Sequence, residues 1–101
     1  MDSGLTDQEI IDRALDASRK LAAGEISARE AALCIANAVY SSNNEPDLPE
    51  FFLMAALEDE YGEFGKDYRI QFYGDRRARE LQLDVEQQII ATANGILAKY
   101  G

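Results

Sequence analysis

Two short segments near the N-terminus leave this chain little choice but to begin as a pair of helices. Thr6-Asp7-Gln8-Glu9 sets a hydroxyl three residues ahead of a carboxylate, and Ser27-Ala28-Arg29-Glu30 repeats the pattern. In such a capping box the hydroxyl accepts from the backbone N–H three residues on, and the carboxylate reaches back to the first residue. Leu5 and Ile10 are placed as a hydrophobic staple across the first start. Ile10, Ile11, Ala14, Leu15, Leu21 and Ala22 then recur at helical spacing, with Ser18 on the same face, and Gly24 is a natural stop. The pattern predicts helices over about 7–23 and about 28–41. The second is alanine-rich and carries Leu33, Cys34, Ile35, Val39 and Tyr40. The link between them is too short for anything but an αα-hairpin. Alanine faces let helices approach closely.

Beyond the polar turn at Ser41–Pro46, Asp47-Leu48-Pro49-Glu50 opens a third helix, with proline in the first turn, where its missing N–H is harmless. Phe51 to Leu57 is apolar all round, which predicts a central helix buried on most sides and ending near Tyr61. Residues 62–74 read as irregular, punctuated by Gly62, Gly65 and Gly74, with Tyr68, Ile70 and Phe72 alternating as in a short extended segment. Asp75 then caps a last long helix with Ala78, Leu81, Val85, Ile89, Ala93, Ile96 and Leu97 on one face, and Asp84-x-x-Gln87 offers a second cap that would interrupt it. The expected fold is all-α: a compact single domain over residues 1–101, a bundle of about four helices. Hydrophobic residues make up 47% of the chain, enough for a globular core.

Composition removes most chemistry. The formal net charge is -9 and there is no histidine. Such a charge repels phosphate backbones, so direct nucleic-acid binding is not expected. The commonest general base and metal ligand are both missing. One cysteine, Cys34, forms no intramolecular disulfide, and in an apolar helix it reads as an inert core residue. The glycines of Gly62-Glu63-Phe64-Gly65 do not make a phosphate loop, and Glu58 to Glu63 lacks the alternating ligands of a calcium loop. No enzyme activity, cofactor or metal site is expected. The N-terminus has no basic start or apolar stretch, and the longest apolar run is far short of the roughly 20 residues a membrane span needs. These features predict a cytoplasmic protein that does not engage the membrane.

The acids are unevenly placed. From Asn43 to Glu63 there are seven (Glu45, Asp47, Glu50, Glu58, Asp59, Glu60, Glu63) and no base. Asp47 and Glu50 sit where a helix start favours negative charge; Glu58, Asp59 and Glu60 sit where a helix end opposes it. Either Arg76 and Arg77 neutralise that end within the fold, or it serves an external partner. Tyr61, Phe64, Tyr68, Phe72 and Tyr73 concentrate five of the nine aromatics just beyond it. Phe64 and Phe72 are expected to close the core; Tyr61, Tyr68 and Tyr73 are expected at the surface, where tyrosine is an economical contact residue. The candidate partner-binding residues are Glu58, Asp59, Glu60, Tyr61, Glu63, Asp67, Tyr68 and Tyr73. An acidic surface of this kind attracts basic proteins, many of which handle nucleic acid.

A small, acidic, all-helical chain with these features resembles bacterial immunity proteins of toxin–immunity pairs, of the colicin and contact-dependent growth-inhibition types. Gly24 to Ala31 is similar to the start of the second helix in helical immunity families. Pro46-Asp47-Leu48, Phe52, Leu57-Glu58-Asp59-Glu60, Gly65 and Arg69 resemble the core pattern of small bacterial proteins in that role. The resemblance spans residues 20–97. It implies a monomer that binds and neutralises one cognate toxin domain, a basic nuclease for example, without catalysis. Two other readings share the composition: a nucleic-acid-mimicking inhibitor of a DNA- or RNA-binding enzyme, and a helical adaptor that pairs through its third helix.

Overall fold

The computed structural model describes Gly4 and residues 6–41 and 49–101. Leu5 of the expected staple, residues 42–46 of the polar turn, Asp47 and Leu48 lie outside the described residues. Within them the chain is all-α: α1 (Asp7–Ala22), α2 (Ala28–Tyr40), α3 (Pro49–Phe64), α4 (Asp67–Tyr73) and α5 (Asp75–Tyr100). The expected bundle of four helices is present, and α4 is a fifth.

Local chemistry places the first hairpin. The Thr6 hydroxyl accepts from Glu9 N–H at 3.2 Å, and the Glu9 carboxylate accepts from Thr6 N–H at 3.2 Å, so the first capping box closes in both directions. At Ser27 the hydroxyl accepts from Glu30 N–H at 3.1 Å, which is half of the second box. Gly24 ends α1 with φ +77°, a conformation that side-chain-bearing residues rarely adopt. Its N–H donates to Leu21 and that of Glu25 to Lys20, the paired bonds of a Schellman stop.

Four helices pack in a ring: α1 on α2, α2 on α3, α3 on α5, and α5 back on α1. Ile10, Ile35, Phe51, Met54, Ile89 and Ile96 are the large side chains fully enclosed at the centre. Alanines 28, 31, 32, 36 and 38 line the inner face of α2 and let its neighbours come close. The α3–α5 seam is fastened at one end by the Phe51 and Tyr100 rings, whose centroids are 5.3 Å apart.

Three expectations fail for identifiable reasons. Residues 67–73 are helical, not extended: a lone strand has no ladder partner, whereas helical pitch sorts this segment into two faces. Arg69, Ile70 and Tyr73 turn inward and are half-buried, while Tyr68 and Phe72 point out. The last helix runs unbroken through Asp84, whose carboxylate accepts from the Gln88 side chain at 3.3 Å within the helix and so does not cap a new one. Gly62 does not end α3, which continues to Phe64. Among the described residues no helix is long and apolar enough to cross a membrane.

Candidate functional site

The acidic segment resolves once α3 is read by its pitch of about 100° per residue. Phe51, Met54, Ala55 and Leu57 face inward and are buried. Pro49, Phe52, Leu53, Ala56, Asp59 and Glu60 fall within an arc of about 120° on the opposite side, and all are exposed. This outer ribbon is apolar in its first two turns and acidic beyond. Phe52 is 40% exposed and Leu53 50%. The expectation that α3 is buried on most sides is therefore corrected: its main neighbours, α2 and α5, with α4 touching one end, leave its outer side open.

The same pitch divides the candidate acids. Asp59 and Glu60 stand on the ribbon. Glu58 projects on the inner side, near the level of Met54 and Tyr61, and is half-buried. Glu63 continues the ribbon but is occupied: Lys66 Nζ lies 2.9 Å from one oxygen and Arg69 Nε 3.7 Å from the other. The Lys66 hydrogen bond, reinforced by the nearby Arg69 charge, holds the Glu63 carboxyl below its ordinary pKa. Arg76 and Arg77 do not neutralise the acidic end of α3. They lie 3.5 Å and 3.2 Å from Glu80 on their own helix, a local partner that the i,i+3 and i,i+4 spacing supplies. Among the described residues, Glu58, Asp59 and Glu60 have no ion-pair partner.

At the other end of α3, Glu50 is fully engaged. Lys99 Nζ donates to Oε1 at 2.8 Å, and the Tyr100 hydroxyl donates to Oε2 at 3.0 Å. The Lys99 bond first, then the helix-start N–H and the Tyr100 hydroxyl, lower the Glu50 pKa and outweigh the effect of burial.

The aromatic candidates sort differently from expectation. Tyr61 is half-buried: its hydroxyl donates to Glu86 at 3.1 Å, its carbonyl accepts from Gln82 at 3.3 Å, and Arg29 lies 5.6 Å from its ring centroid. Burial, then the Glu86 carboxylate, raises its pKa. Tyr61 thus ties α2, α3 and α5 together and is half-buried where full exposure was expected. Tyr73 is also half-buried, edge-on to Phe64 at 6.1 Å and to Phe72 at 4.9 Å. Phe64 packs partly on the core as expected. Phe72 does not close the core and is 80% exposed, because it shares the outer face of α4 with Tyr68. Tyr68 is exposed as expected, with the Arg69 guanidinium 5.5 Å from its ring centroid. Asp67 is exposed in the first turn of α4.

Cys34 is exposed, not buried, because position 34 falls on the outer side of α2. It lines a shallow cavity of about 380 Å³ with Arg13, Asp16, Lys20, Ile26 and Asn37. Lys20 lies 3.1 Å from Asp16, and that hydrogen bond raises the Lys20 pKa. Among the described residues no three His, Cys, Asp or Glu side chains converge as a metal-holding group.

Among the surface residues missed from sequence are Phe52 and Leu53. A signal was present. Asp59 and Glu60 lie seven residues beyond them, two turns along the same helix face, and paired acids there mark that face as solvent-directed. Comparison of the chain with protein-family models, with curated proteins and with solved structures found no match.

Proposed function

We propose that this chain is a binding protein of the immunity type, which engages a basic surface of one cognate toxin domain through the outer face of α3 and performs no catalysis. One observation carries the reading. Within a single acidic segment, Glu50 and Glu63 are each compensated inside the fold, whereas Asp59 and Glu60 are exposed and, among the described residues, have no ion-pair partner. An uncompensated pair of acids gains nothing for the folded monomer, and it supplies the field that steers a basic partner into contact. The all-helical fold and the net charge of -9 agree with the resemblance to helical immunity proteins.

The test is to look beside this chain's gene for a reading frame that ends in a toxin-like domain and to co-express the two, read out by co-purification and by survival of the host cell. The wild-type chain is expected to co-purify with that domain and to protect. Reversal of both charges, D59K/E60K, is expected to weaken the complex about 100-fold, since charge pairs buried at an interface cost several kcal/mol when broken. Undiminished affinity of the reversed variant would remove the acidic ribbon from the interface.

A further inference from the structure

The outer ribbon of α3 specifies more than charge. Its apolar part, Phe52, Leu53 and Ala56, and its acidic part, Asp59 and Glu60, lie end to end on one exposed helix face. We propose that the ribbon receives an amphipathic helix of a different protein, one that places apolar side chains over Phe52 and Leu53 and Lys or Arg about two turns away over Asp59 and Glu60. This rests on the partner-binding reading above and names the partner's chemistry.

The charge pattern decides between this occupant and a second copy of the chain. In a two-fold pair the same patch meets itself. Set parallel, two copies of α3 put Asp59 and Glu60 against their equivalents and repel. Set antiparallel about Ala56, they press Phe52 and Leu53 of one copy onto Glu60 and Asp59 of the other, burying carboxylates against apolar groups. A register that overlaps only the apolar turns engages about two turns of helix, well short of the roughly 1,200 Å² that stable interfaces bury. A partner with complementary order, apolar then basic, avoids both the like-charge repulsion and the burial of carboxylates against apolar groups, and it engages the full length of the ribbon. It also satisfies both halves of the ribbon at once, with apolar anchors and charges spaced by helical pitch.

The candidate tyrosines are not needed. Tyr61 and Tyr73 are engaged internally. Tyr68 and Phe72 project from a separate short helix.

The experiment titrates the intact protein, by calorimetry and by amide chemical shifts, with synthetic 18-residue peptides. Two carry leucines at helical spacing in one half and lysines on the same face in the other, in either order. A third is a scramble of identical composition, and a fourth is oligolysine of equal charge. One segregated peptide is expected to bind at least about tenfold more tightly than the scramble and the oligolysine. F52S/L53S and D59K/E60K should each weaken it about tenfold, and F72S should leave it unchanged. L53S alone, at a half-exposed site, provides the same reading should the double variant lose its fold. Equal binding of segregated and scrambled peptides, or no binding of either segregated peptide, overturns the helical partner. Binding that survives F52S/L53S but is lost in D59K/E60K overturns it too, while sparing the acidic contact. Binding insensitive to D59K/E60K removes the acidic contact itself. A concentration-dependent dimer abolished by L53S would assign the ribbon to a second copy and overturn the proposal.

Discussion

The two ends of α3 begin from the same residue type and finish in opposite states. At the N-terminal end Glu50 meets the favourable pole of its own helix, accepts from Lys99 and Tyr100, and sits beside the Phe51–Tyr100 contact. Lys99 in turn occupies the last turn of α5, where a cation suits that helix's dipole. Both helices therefore gain from one bridge. Toward the C-terminal end Asp59 and Glu60 face water, while Glu63, in the last turn where the dipole is most hostile, is the acid held by Lys66 and Arg69. The contrast teaches that the sum of charges is silent about function. What matters is which acids the fold has already used.

The contrast can be broken hardest at the fastened end. Phe51 is fully buried and joins α3 to α5, so Phe51→Ala should cost about 3–5 kcal/mol, the range for deleting a core aromatic. Chemical denaturation monitored by circular dichroism measures it, and a loss under about 1 kcal/mol would mean the seam is held elsewhere.

Glu50→Gln removes the bridge and keeps the shape. A loss of about 1 kcal/mol is expected, because the pair is only partly shielded from water. The pH dependence carries the sign. The folded-state pKa of Glu50 is lowered, so its contribution is present above the unfolded carboxylate value and disappears as pH falls through the folded one. The stability gap between wild type and variant should therefore be steady above about pH 5 and should close on further acidification. A gap independent of pH would show that the carboxylate charge is not what fastens this end.

Tyr61→Phe probes the boundary between the two ends. Loss of the hydroxyl leaves a half-buried Glu86 carboxylate without that donor, and about 1 kcal/mol of stability should go with it. Affinity for the partner should not change. A variant of normal stability with weakened binding would return Tyr61 to the interface.

How much of this was legible depends on the range of the interaction. The α1–α2 hairpin was readable because capping boxes and a glycine stop act within five or six residues. Tyr61 was unreadable because its partner, Glu86, lies twenty-five residues away on another helix. Helix α4 escaped for a related reason. It buries no side chain completely and is defined by docking on α5 and α3, which leaves only a weak local signature. The pairing of Arg76 and Arg77 with Glu80 was readable from spacing alone, and a local partner one turn away prevails over a distant acidic helix end. Phe52 and Leu53 lie between these cases. Their apolar run concealed their exposure, and the acids seven residues later disclosed it.

The smallest expected effect tests the open end of α3 most directly. Asp59 stands four residues before Glu63 and Glu60 stands three before it, so both pairs repel along one face of a helix that has no base of its own, with Lys66 and Arg69 beside Glu63 offsetting part of that repulsion. Because α3 continues to Phe64, the dipole penalty on Asp59 and Glu60 is reduced, and mutual repulsion is the larger share. Asp59→Asn combined with Glu60→Gln should therefore stabilise the protein by about 0.5 kcal/mol, raising Tm by about 2–4 °C. Added salt should narrow the difference, because screening relieves the same repulsion in the wild type. Improved stability together with weakened partner binding is the signature of residues retained at some expense to the fold. A loss of stability in the doubly neutral variant would mean that Asp59 and Glu60 serve the monomer after all, and the two ends of α3 would then differ only in degree.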